Sequence, residues 1–598
     1  MMNKPLSAIE RAKLRLLAYK QKEAEEKKSR EVALLGNRTL EAPNLTSQGW
    51  SYDSSVDWNA EQMQAINAAM SGKSFCLIGA AGTGKTTTEK GMIYSVIRNG
   101  LVPMIREGAS TKYLAAGTPG IAMVSFTNMA VRQTAKHFSR DVTCVTIHKL
   151  LEFGPVYYEV ENPATGEMIR KMRFEPQRNK ENPLPRELKL ICVDEASMVD
   201  IELMKLLWDA LPDPDAVQFI YLGDLNQLPP VYGGPILGWA LLNLPIIELT
   251  RVYRQALLSP IITLALNVKD GKPTPTVQKM VHDSGEHGCV VIQPWSASLG
   301  WEDALIKAQS FCKAAIKTGA MDVMQDIILC PYNVNFGVQE LNIAIADYLG
   351  RERGAIVHHV IAGFEERYLA VGDKVLVNKR EAFITKITKN GNYVGKHPAD
   401  PNRFEIDRYG GLRKRKDPMV IEMNPVDDID IDIDALLDSM QAHGAVTERK
   451  NQASHRITVG FLDDHDKTVF DPEDEDMETA ELSSAGEVNE MLFGYAITVH
   501  KSQGSEWRRV FILTHKSHAK MCSRELMYTA ITRAREHLHI ICEPDRVATA
   551  GTLSSAARKP RLKGDTLGEK LVSLKERFDK EAREQAAKDA KRKEEDDE

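Results

Sequence analysis

The chain lacks any long hydrophobic run. Although 43% of its 598 residues are apolar, no stretch reaches the roughly 18 consecutive apolar residues that a membrane-spanning helix needs. The segment from Glu10 to Glu31 is charged rather than apolar, so we expect no secretory signal in it. These absences predict a protein that has no membrane partner.

Paired cysteines are also missing. Eight cysteines occur, but none forms a Cys-x-x-Cys pair, which argues against a zinc site and favours a reducing, cytoplasmic location. The net charge is only −6 and the pI about 6.3. This balance argues against a protein coated by nucleic acid, although the acidic run at 471–476 can mask a basic groove elsewhere.

A glycine-rich run follows the short apolar stretch 74–78. It reads Gly79-Ala80-Ala81-Gly82-Thr83-Gly84-Lys85-Thr86. This is the spacing of a P-loop, in which backbone N–H groups and a helix N-terminus surround phosphate oxygens. The pattern predicts that Lys85 reaches the β- and γ-phosphates of a nucleoside triphosphate and that the Thr86 hydroxyl holds Mg²⁺. A glycine-rich turn with a surface lysine is the alternative.

Polar residues follow two later apolar stretches, at 190–193 and 219–222. After the first, Asp194 can hold Mg²⁺ through water, and Glu195 can orient or deprotonate an attacking water. A helix N-cap is the alternative for this acidic pair. After the second, the amide of Gln227 can sense the γ-phosphate, and an ordinary loop is the alternative.

The order of elements indicates an α/β fold, because apolar strand candidates alternate with helical stretches. The candidates are residues 75–78, 121–125, 190–193 and 219–222 in a first block and 326–330, 494–499 and 510–514 in a second. A hairpin interrupts the first block at about 155–176. Beyond residue 565, Leu571, Leu574 and Phe578 form an apolar stripe on a charged helix. We expect that helix to be solvated, and a partner-binding helix is the alternative.

Together with the P-loop and the acidic pair, six further segments make the chain resemble superfamily 1 helicases of the RecD-like, Dda-like branch. The resemblance covers residues 58–545. The segments resemble the adenine-reading Q motif (58–62) and motifs Ia (125–130), Ib (146–150), IV (249–255), V (495–506) and VI (524–535). Motif V is the most specific, because its whole length matches. The spacing of Asn59 and Gln62 also fits a helix capping box. In motif Ia, Ser125-Phe126 replaces the Ala-Pro that is commoner in the family.

The resemblance implies roles for individual residues. The implied catalytic residues are Lys85, Glu195, Gln227, Arg254 and Arg533, of which the two arginines point at the γ-phosphate. The implied nucleotide-binding residues are Gln62, Gly79, Ala80, Ala81, Gly82, Thr83, Gly84, Lys85, Thr86, Thr87, Gly504 and Glu506, and the implied metal-binding residues are Thr86 and Asp194. The implied nucleic-acid contacts are Thr127, Asn128, His148, Thr498, His500 and Lys501. Solvated surface positions are the alternative for the two arginines.

The resemblance also implies the architecture. We expect an α/β protein with two RecA-like parallel-sheet domains of the P-loop NTPase type, a β-hairpin insertion and an SH3-like β-barrel insertion. The expected segments are a charged helical N-terminal extension (1–48), the first RecA-like ATPase domain (49–255) with the hairpin (about 155–176), the second RecA-like domain (256–367 and 491–550), the SH3-like β insertion with its acidic loop (368–490) and a charged helical C-terminal tail (551–598).

The hairpin resembles the pin that separates the strands of a duplex in this branch. Its candidate base-facing aromatics are Tyr157, Tyr158 and Phe174. Packing of these rings against the domain is the open alternative.

The implied function is an ATP-dependent DNA helicase that uses ATP and Mg²⁺. It would translocate 5′→3′ on single-stranded DNA and unwind duplexes at junctions of single and double strands. An RNA helicase of the same superfamily is one alternative, and a nucleotide-switched binding protein that does not unwind is another. The charged tails and the β insertion are candidate sites for protein partners. We expect the protein in the cytoplasm of a bacterial or phage-infected cell.

Overall fold

The computed structural model describes most of the chain. The described residues are 56–103, 119–135, 137–138, 144–161, 168–230, 233–253, 258–272, 278–281, 288–295, 299–363, 365–377, 380–391, 404–406, 412–414, 452–461, 479–543, 556–564 and 566–597. The predicted N-terminal extension, the tip of the hairpin and the acidic run at 471–476 lie outside these residues.

A seven-stranded parallel sheet forms the first half of the fold. Its strands, in chain order, are β1 (Phe75–Gly79), β2 (Val102–Pro103), β3 (Gly120–Ser125), β4 (Cys144–Thr146), β7 (Leu188–Val193), β8 (Gln218–Gly223) and β9 (Ile246–Leu249). The spatial order is β2-β3-β7-β8-β1-β9, and β4 pairs with β3. The strands are almost wholly buried because helices cover both faces, which explains their continuous apolar runs.

Helices connect and cover these strands. They are α1 (Ala60–Met70), α2 (Lys85–Arg98), α3 (Asn128–Ala135), α4 (Ile147–Leu150), α5 (Ile201–Asp209) and α6 (Ile236–Asn243), with 3₁₀ turns at Ala196–Met198 and Pro214–Ala216. Strand β1 lies between β8 and β9 and runs parallel to both. The P-loop at its end therefore lies at the carboxyl edge of the sheet, beside the residues that follow β7 and β8.

A second sheet of six strands forms the other half. Its strands are β10 (Gln278–Val281), β11 (Cys289–Pro294), β12 (Asp326–Cys330), β22 (Ala496–Thr498), β23 (Trp507–Leu513) and β24 (Ala534–Cys542), in the spatial order β10-β11-β24-β23-β12-β22. All pairs are parallel except β10 with β11. The associated helices are α7 (Pro260–Lys269), α8 (Trp301–Lys317), α9 (Val338–Glu352) and α11 (Arg524–Ile531), with a 3₁₀ turn at Lys516–His518. The prediction of an α/β fold with two RecA-like parallel sheets is confirmed.

The hairpin inserted in the first half consists of β5 (Gly154–Glu161) and β6 (Met168–Glu175). The two strands form a separate antiparallel sheet in which Gly154 lies opposite Glu175 and Glu161 lies opposite Met168. Apart from each other, the strands pair with no other strand of the described chain, so the hairpin is not part of the parallel sheet.

The segment between the two parts of the second sheet is largely antiparallel. Its strands are β13 (Val357–Ala362), β14 (Glu365–Ala370), β15 (Lys374–Val377), β16 (Arg380–Lys389), β17 (Phe404–Ile406), β18 (Leu412–Lys414), β19 (Gln452–Phe461), β20 (Thr479–Ser484) and β21 (Leu492–Phe493), with the helix α10 (Ala485–Glu490). Five of them form a sheet in the order β20-β19-β16-β15-β21 around a small apolar core. The SH3-like classification of this insertion stays a prediction, as do the domain boundaries.

The C-terminal helix α12 (Leu567–Asp597) differs from our expectation of a solvated helix. Leu571 and Leu574 are buried in the core of the first half, and Phe578 packs on the same core beside Gly234 and Gly238. The apolar stripe is therefore covered within the chain. The pattern indicated an apolar face correctly, but a pattern of period 3.6 does not reveal what covers that face.

All eight cysteines carry free thiols, and seven of them are buried while Cys289 is partly exposed. Among the described helices, none is both long enough and apolar enough to cross a membrane.

Candidate functional site

The P-loop joins β1 to α2 in a conformation that depends on its glycines. Gly82 and Gly84 have φ values of 79° and 82°, in the left-handed region that favours glycine. A Cβ atom on Gly79 would lie 2.5 Å from the Thr83 hydroxyl oxygen, so a larger residue there would displace the loop. The sequence therefore folds this segment as the P-loop spacing predicts.

The side chain of Lys85 folds back over the loop. Its Nζ atom donates to the Gly79 carbonyl oxygen at 2.7 Å and lies 3.9 Å from Asp224 Oδ2. Thr86 and Thr87, in the first turn of α2, are exposed and line the adjacent cleft. The lysine and the two hydroxyl groups are thus available to a ligand that approaches the loop.

Asp194 and Glu195 directly follow β7 and lie in the same cleft. Asp194 Oδ2 accepts a hydrogen bond from the Thr134 hydroxyl at 2.5 Å, and Asp194 Oδ1 accepts one from the Glu195 N–H at 2.8 Å. Burial raises the pKa of both carboxyls, and the neighbouring Asp194 raises the pKa of Glu195 further. Glu195 has φ 49° and ψ 42°, a conformation that carries strain and is found disproportionately at functional sites.

A third carboxyl group, which the sequence analysis missed, lies beside this pair. Glu89 on α2 is only 3% exposed, and its Oε1 atom has no hydrogen-bond partner among the described residues. Burial raises its pKa well above the ordinary value, and Asp194 and Glu195 raise it further. The sequence does contain a signal for this residue. Glu89 has helical spacing from the apolar residues Ile93 and Val96, which places its carboxyl group on the buried face of the helix.

The donors present fit a Mg²⁺ ion that is shared with phosphate groups. Such an ion takes one or two protein oxygens and completes its shell with phosphate and water, and the cleft offers the Thr86 hydroxyl and the Asp194 carboxylate. No group of three or more His, Cys, Asp or Glu side chains that could hold a metal alone occurs within the described ranges.

Gln227 follows β8 and is 8% exposed. Its N–H donates to the Asp224 carbonyl oxygen at 3.1 Å, while its side-chain Oε1 is buried without a partner in the described structure. The next residue connects the two halves: Leu228 N–H donates to the Thr529 hydroxyl at 3.1 Å, and Gln503 Nε2 donates to the Leu228 carbonyl at 2.7 Å. The loop that carries Gln227 is therefore bound directly to the second half.

Arg533 enters the cleft from the second half. It is 5% exposed, and its guanidinium donates to the carbonyl oxygens of Thr529 and Ser505 at 3.0 and 3.1 Å and to the Thr532 hydroxyl at 3.1 Å. Its charge acts on Glu195, whose pKa it lowers against the larger effect of burial. Gly504 and Glu506 line the same cleft. Arg254 lies outside the described residues.

Two tyrosines within motifs IV and VI, to which the sequence analysis gave no role, also contact the P-loop. The Tyr528 hydroxyl, from α11, accepts from the Ala81 N–H at 2.7 Å and donates to Asp224 Oδ2 at 2.7 Å. Tyr253 N–H donates to the Gly82 carbonyl at 3.1 Å. These are long-range contacts, which local patterns in a sequence cannot reveal.

Gln62 forms a helix capping box with Asn59, which was the alternative to a role in binding adenine. Its N–H donates to Asn59 Oδ1 at 2.8 Å, and its Oε1 accepts from the Asn59 N–H at 3.1 Å and from the Tyr253 hydroxyl at 2.6 Å. Gln62 Nε2 would lie 3.0 Å from a Cβ atom on Gly84. The capping box and a position beside the P-loop therefore coexist.

The residues proposed to contact nucleic acid lie in two groups. In the first half, Thr127 and Asn128 follow β3, and His148 follows β4, at the carboxyl edge of the sheet. The Thr127 hydroxyl accepts from the Ala130 N–H at 3.1 Å, and His148 lies between the rings of Phe126 and Phe153.

In the second half, Thr498 ends β22, and His500 and Lys501 follow it. Thr498 is buried, whereas Lys501 is exposed. Burial lowers the pKa of His500, which favours a neutral imidazole.

Two candidate aromatics of the hairpin, Tyr158 and Phe174, are exposed to solvent. Tyr158 is 37% exposed with the Arg173 guanidinium 5.2 Å from its ring centre, and Phe174 is 63% exposed. The backbone of Tyr157 pairs with Met172.

One cleft thus collects side chains from both halves. It encloses about 2110 Å³, part of it open to solvent, and its lining residues include Lys85, Thr86, Thr87, Glu89, Asp194, Glu195, Gln227, Gly504, Glu506 and Arg533. The arrangement places the P-loop, the Asp194–Glu195 pair and Arg533 around a common space. That set can bind a nucleoside triphosphate and stabilise charge on its γ-phosphate.

Comparison with known proteins agrees with this arrangement. Residues 62–233 match the family model of an AAA domain, and residues 493–541 match that of a UvrD-like helicase C-terminal domain. The chain is 26% identical over 516 residues to a protein named ATP-dependent RecD2 DNA helicase from Deinococcus radiodurans. It is 31% identical over 199 residues to the ATP-dependent DNA helicase dda of Enterobacteria phage T4.

The chain is similar to helicases of the RecD-like, Dda-like branch of superfamily 1. The Deinococcus match covers 86% of this chain and 52% of the relative, so the chain spans about half the length of that relative. The phage match covers 32% of the chain and 37% of the relative. A solved structure of Bacteroides Pif1 bound to single-stranded DNA is similar with a TM-score of 0.37 and 16% identity, covering 80% of this chain and 91% of that one.

Proposed function

We propose that this protein is an ATP-dependent DNA helicase that translocates 5′→3′ on single-stranded DNA and unwinds duplexes. One observation carries the proposal: Arg533 of the second half and the Lys85, Asp194 and Glu195 side chains of the first half line a single cleft. A site divided in this way responds to the distance between the two halves. The similarity to two proteins named DNA helicases supports duplex unwinding as the result of this response.

In the proposed mechanism, the P-loop amides and Lys85 bind the β- and γ-phosphates of ATP. Lys85 Nζ would exchange its 2.7 Å hydrogen bond to the Gly79 carbonyl for phosphate oxygens. Gln62, Gly504 and Glu506 would complete the nucleotide site. Thr86 and Asp194 would hold Mg²⁺, which when bound neutralises charge on the phosphates.

Hydrolysis requires a group that accepts the proton of the attacking water. We assign this role to Glu195. Its pKa is raised, and a carboxylate with a raised pKa is a stronger base. As the water oxygen bonds to the γ-phosphorus, the bond from that phosphorus to the β–γ bridging oxygen breaks and ADP leaves, while the proton of the water passes to the Glu195 carboxylate. Gln227 would orient the γ-phosphate, and Arg533, together with Arg254, would stabilise its equatorial oxygens.

Closure and opening of the cleft would move the two halves along one DNA strand. The proposed strand contacts are the carboxyl-edge residues Thr127, Asn128 and His148 of the first half and Thr498, His500 and Lys501 of the second. Tyr158 and Phe174 on the hairpin would meet the bases where the duplex opens, which their exposure supports. Tyr157 belongs to the same proposal.

We expect the protein in the cytoplasm of a bacterial or phage-infected cell. The eight free thiols support the reducing compartment, and the similar helicases of Deinococcus radiodurans and phage T4 support the kind of cell. Protein partners would bind the antiparallel insertion or the charged part of α12 beyond Phe578, because the preceding apolar stripe is already covered.

Strand displacement on matched duplexes tests the proposal. Four substrates are required, with 5′- or 3′-single-stranded tails on otherwise identical DNA or RNA duplexes, and Glu195→Gln serves as the control without hydrolysis. We expect ATP-dependent unwinding of the 5′-tailed DNA only. Preference for the RNA substrates would establish an RNA helicase. DNA binding and ATP hydrolysis without displacement of any strand would establish a translocase or switch that does not unwind.

A further inference from the structure

We propose that Lys570, on the C-terminal helix, is a positioning residue for ATP hydrolysis because it anchors the loop that carries Asp224 and Gln227. This inference rests on the proposed ATPase activity. Lys570 lies outside every helicase motif identified in the sequence, and it belongs to a helix that composition alone indicated to be solvated.

The anchor is a direct hydrogen bond. Lys570 Nζ donates to Asn226 Oδ1 at 2.8 Å across 344 positions of sequence. The lysine is half-buried, and burial lowers its pKa, with Lys269 as a further cause. A lysine that exchanges hydrogen bonds with water for one to an amide oxygen holds that amide in one orientation.

Asn226 passes this constraint to Asp224. The backbone N–H of Asn226 and its Nδ2 atom both donate to Asp224 Oδ1, at 2.9 and 2.7 Å. Because Lys570 occupies the Asn226 oxygen, the amide must present its nitrogen to Asp224. The Asp224 carboxylate is 1% exposed, so its orientation depends on protein partners alone.

Asp224 in turn contacts the catalytic cleft from two directions. Its Oδ2 atom lies 3.9 Å from Lys85 Nζ and accepts from the Tyr528 hydroxyl at 2.7 Å. Tyr528 accepts from the Ala81 N–H of the P-loop. A continuous series of hydrogen bonds therefore runs from the C-terminal helix through Asn226, Asp224 and Tyr528 to the P-loop.

The position of α12 is itself fixed by both halves of the protein. Just before the helix, Ala556 and Ala557 are each 1% exposed in the core of the second half. Arg524 Nε donates to the Ala557 carbonyl, and the Arg561 N–H donates to Glu525 Oε1, both at 2.7 Å. The chain then crosses to the first half, where Leu571 packs in the core. Lys570 lies where this C-terminal segment, residues 556–564 and 566–578, contacts the first half.

The effect of losing the anchor follows from this geometry. Without Lys570, the Asn226 amide can rotate, and Asp224 loses a fixed donor beside Lys85. The loop that holds Gln227 then samples positions in which the catalytic groups are misaligned, and a misplacement of about 1 Å is enough to slow a positioned reaction strongly. The ATP contacts made by the P-loop backbone remain. Turnover should therefore fall more than ATP affinity.

The test compares three variants of the full chain. Lys570→Met removes the donor at similar length, Lys570→Arg keeps a donor, and Lys575→Met is the matched control, because Lys575 is exposed on the same helix. At saturating single-stranded DNA we expect Lys570→Met to lower kcat about 5- to 10-fold with KM for ATP within about twofold. Lys570→Arg should recover most of the loss, and Lys575→Met should match wild type.

Two further measurements separate positioning from a general loss of structure and from failure of the ATPase proposal. In a double-mutant cycle, Asn226→Ala should reduce kcat in wild type but add little in the Lys570→Met background. Amide hydrogen exchange of residues 224–228 in the nucleotide-free protein should be faster in Lys570→Met than in Lys575→Met, whether or not ATP is hydrolysed. An inactive wild type would defeat the proposed function, whereas unchanged exchange, or an active Lys570→Met with wild-type kcat, would overturn the anchor.

Discussion

The hydroxyl group of Thr134 donates to Asp194 Oδ2 at 2.5 Å, so a side chain of α3 orients the carboxylate that follows β7. This bond lowers the pKa of Asp194 against the effect of burial. It therefore helps to keep the proposed Mg²⁺-binding group ionised.

Thr134→Val removes this bond while nearly preserving the shape of the side chain. We expect a rise in the pKa of Asp194 and weaker Mg²⁺ binding. Loss of a partner that orients a metal ligand typically lowers metal affinity or activity about 10-fold. The measurement is DNA-stimulated ATPase activity over a MgCl₂ titration, in which the midpoint should move to higher concentration. Thr134→Ser should restore the wild-type midpoint, and an unchanged midpoint in Thr134→Val would remove Thr134 from the site.

Lys85→Ala and Glu195→Gln should separate binding from chemistry. Lys85→Ala loses a phosphate contact, so nucleotide affinity and turnover should both fall. Glu195→Gln keeps the shape but cannot accept the proton, so ATP should still bind while turnover drops ~10²-fold or more. Binding of a fluorescent ATP analogue and phosphate release measure the two effects. Turnover of Glu195→Gln within a few-fold of wild type would assign the base to another group, and Glu89 would be the first to examine.

Arg533→Ala should abolish most turnover and leave affinity for single-stranded DNA nearly unchanged. Loss of an arginine at the γ-phosphate typically costs ~10³-fold or more in rate. Because the guanidinium also binds two carbonyl oxygens, Arg533→Lys and a melting curve are needed as controls for structure. Loss of DNA binding with preserved DNA-saturated ATPase activity would instead place Arg533 in the strand groove. The same experiment on Arg254→Ala tests the second proposed arginine.

Shortening the hairpin should uncouple unwinding from hydrolysis. Glu161 lies opposite Met168, so replacing residues 162–167 by Asn-Gly leaves a two-residue turn of the kind that suits hairpins. DNA-stimulated ATPase activity should stay near normal, because the cleft is untouched, while unwinding of a 5′-tailed duplex falls sharply. If the shortened protein unwinds at the wild-type rate, the antiparallel insertion becomes the next candidate for the wedge.

Asp326→Asn should stabilise the protein at neutral pH. Asp326 is buried at the start of β12, its Oδ1 has no hydrogen-bond partner among the described residues, and burial raises its pKa from 3.8 to about 6. Because the folded pKa exceeds the unfolded one, the native state loses stability as pH rises from about 4 through about 6.

The neutral amide avoids that loss, so the gain should be about 2 kcal/mol or less at pH 7.5 and should vanish near pH 4. Thermal melts at the two pH values measure it. A gain that persists at pH 4 would show that the charge is not its cause.

The predictable part of the site was local in sequence. The P-loop, the Asp194–Glu195 pair and Gln227 each follow an apolar strand at a spacing that chemistry requires, and parallel strands bring such positions to one edge. Thr134 and Tyr528 could not be assigned in this way. Thr134 contacts a residue that is 60 positions away in the sequence, and Tyr528 contacts one that is 304 positions away.

The C-terminal helix shows the same limit at the level of the fold. Its leucine stripe was visible in the sequence, but the core that covers the stripe comes from α6 and neighbouring elements more than 300 residues earlier. A period of 3.6 residues identifies a buried face without identifying the surface that buries it.

The distribution of the thiols makes the chain suited to site-specific labelling. Seven of the eight cysteines are buried, and burial raises the pKa of several of them, including Cys144, Cys192, Cys312 and Cys330. Buried, protonated thiols react slowly with maleimides, because the thiolate is the reactive form. Once Cys289 is replaced by serine, a pair of dyes on engineered cysteines, one on each side of the cleft, would report its opening and closing during single turnovers.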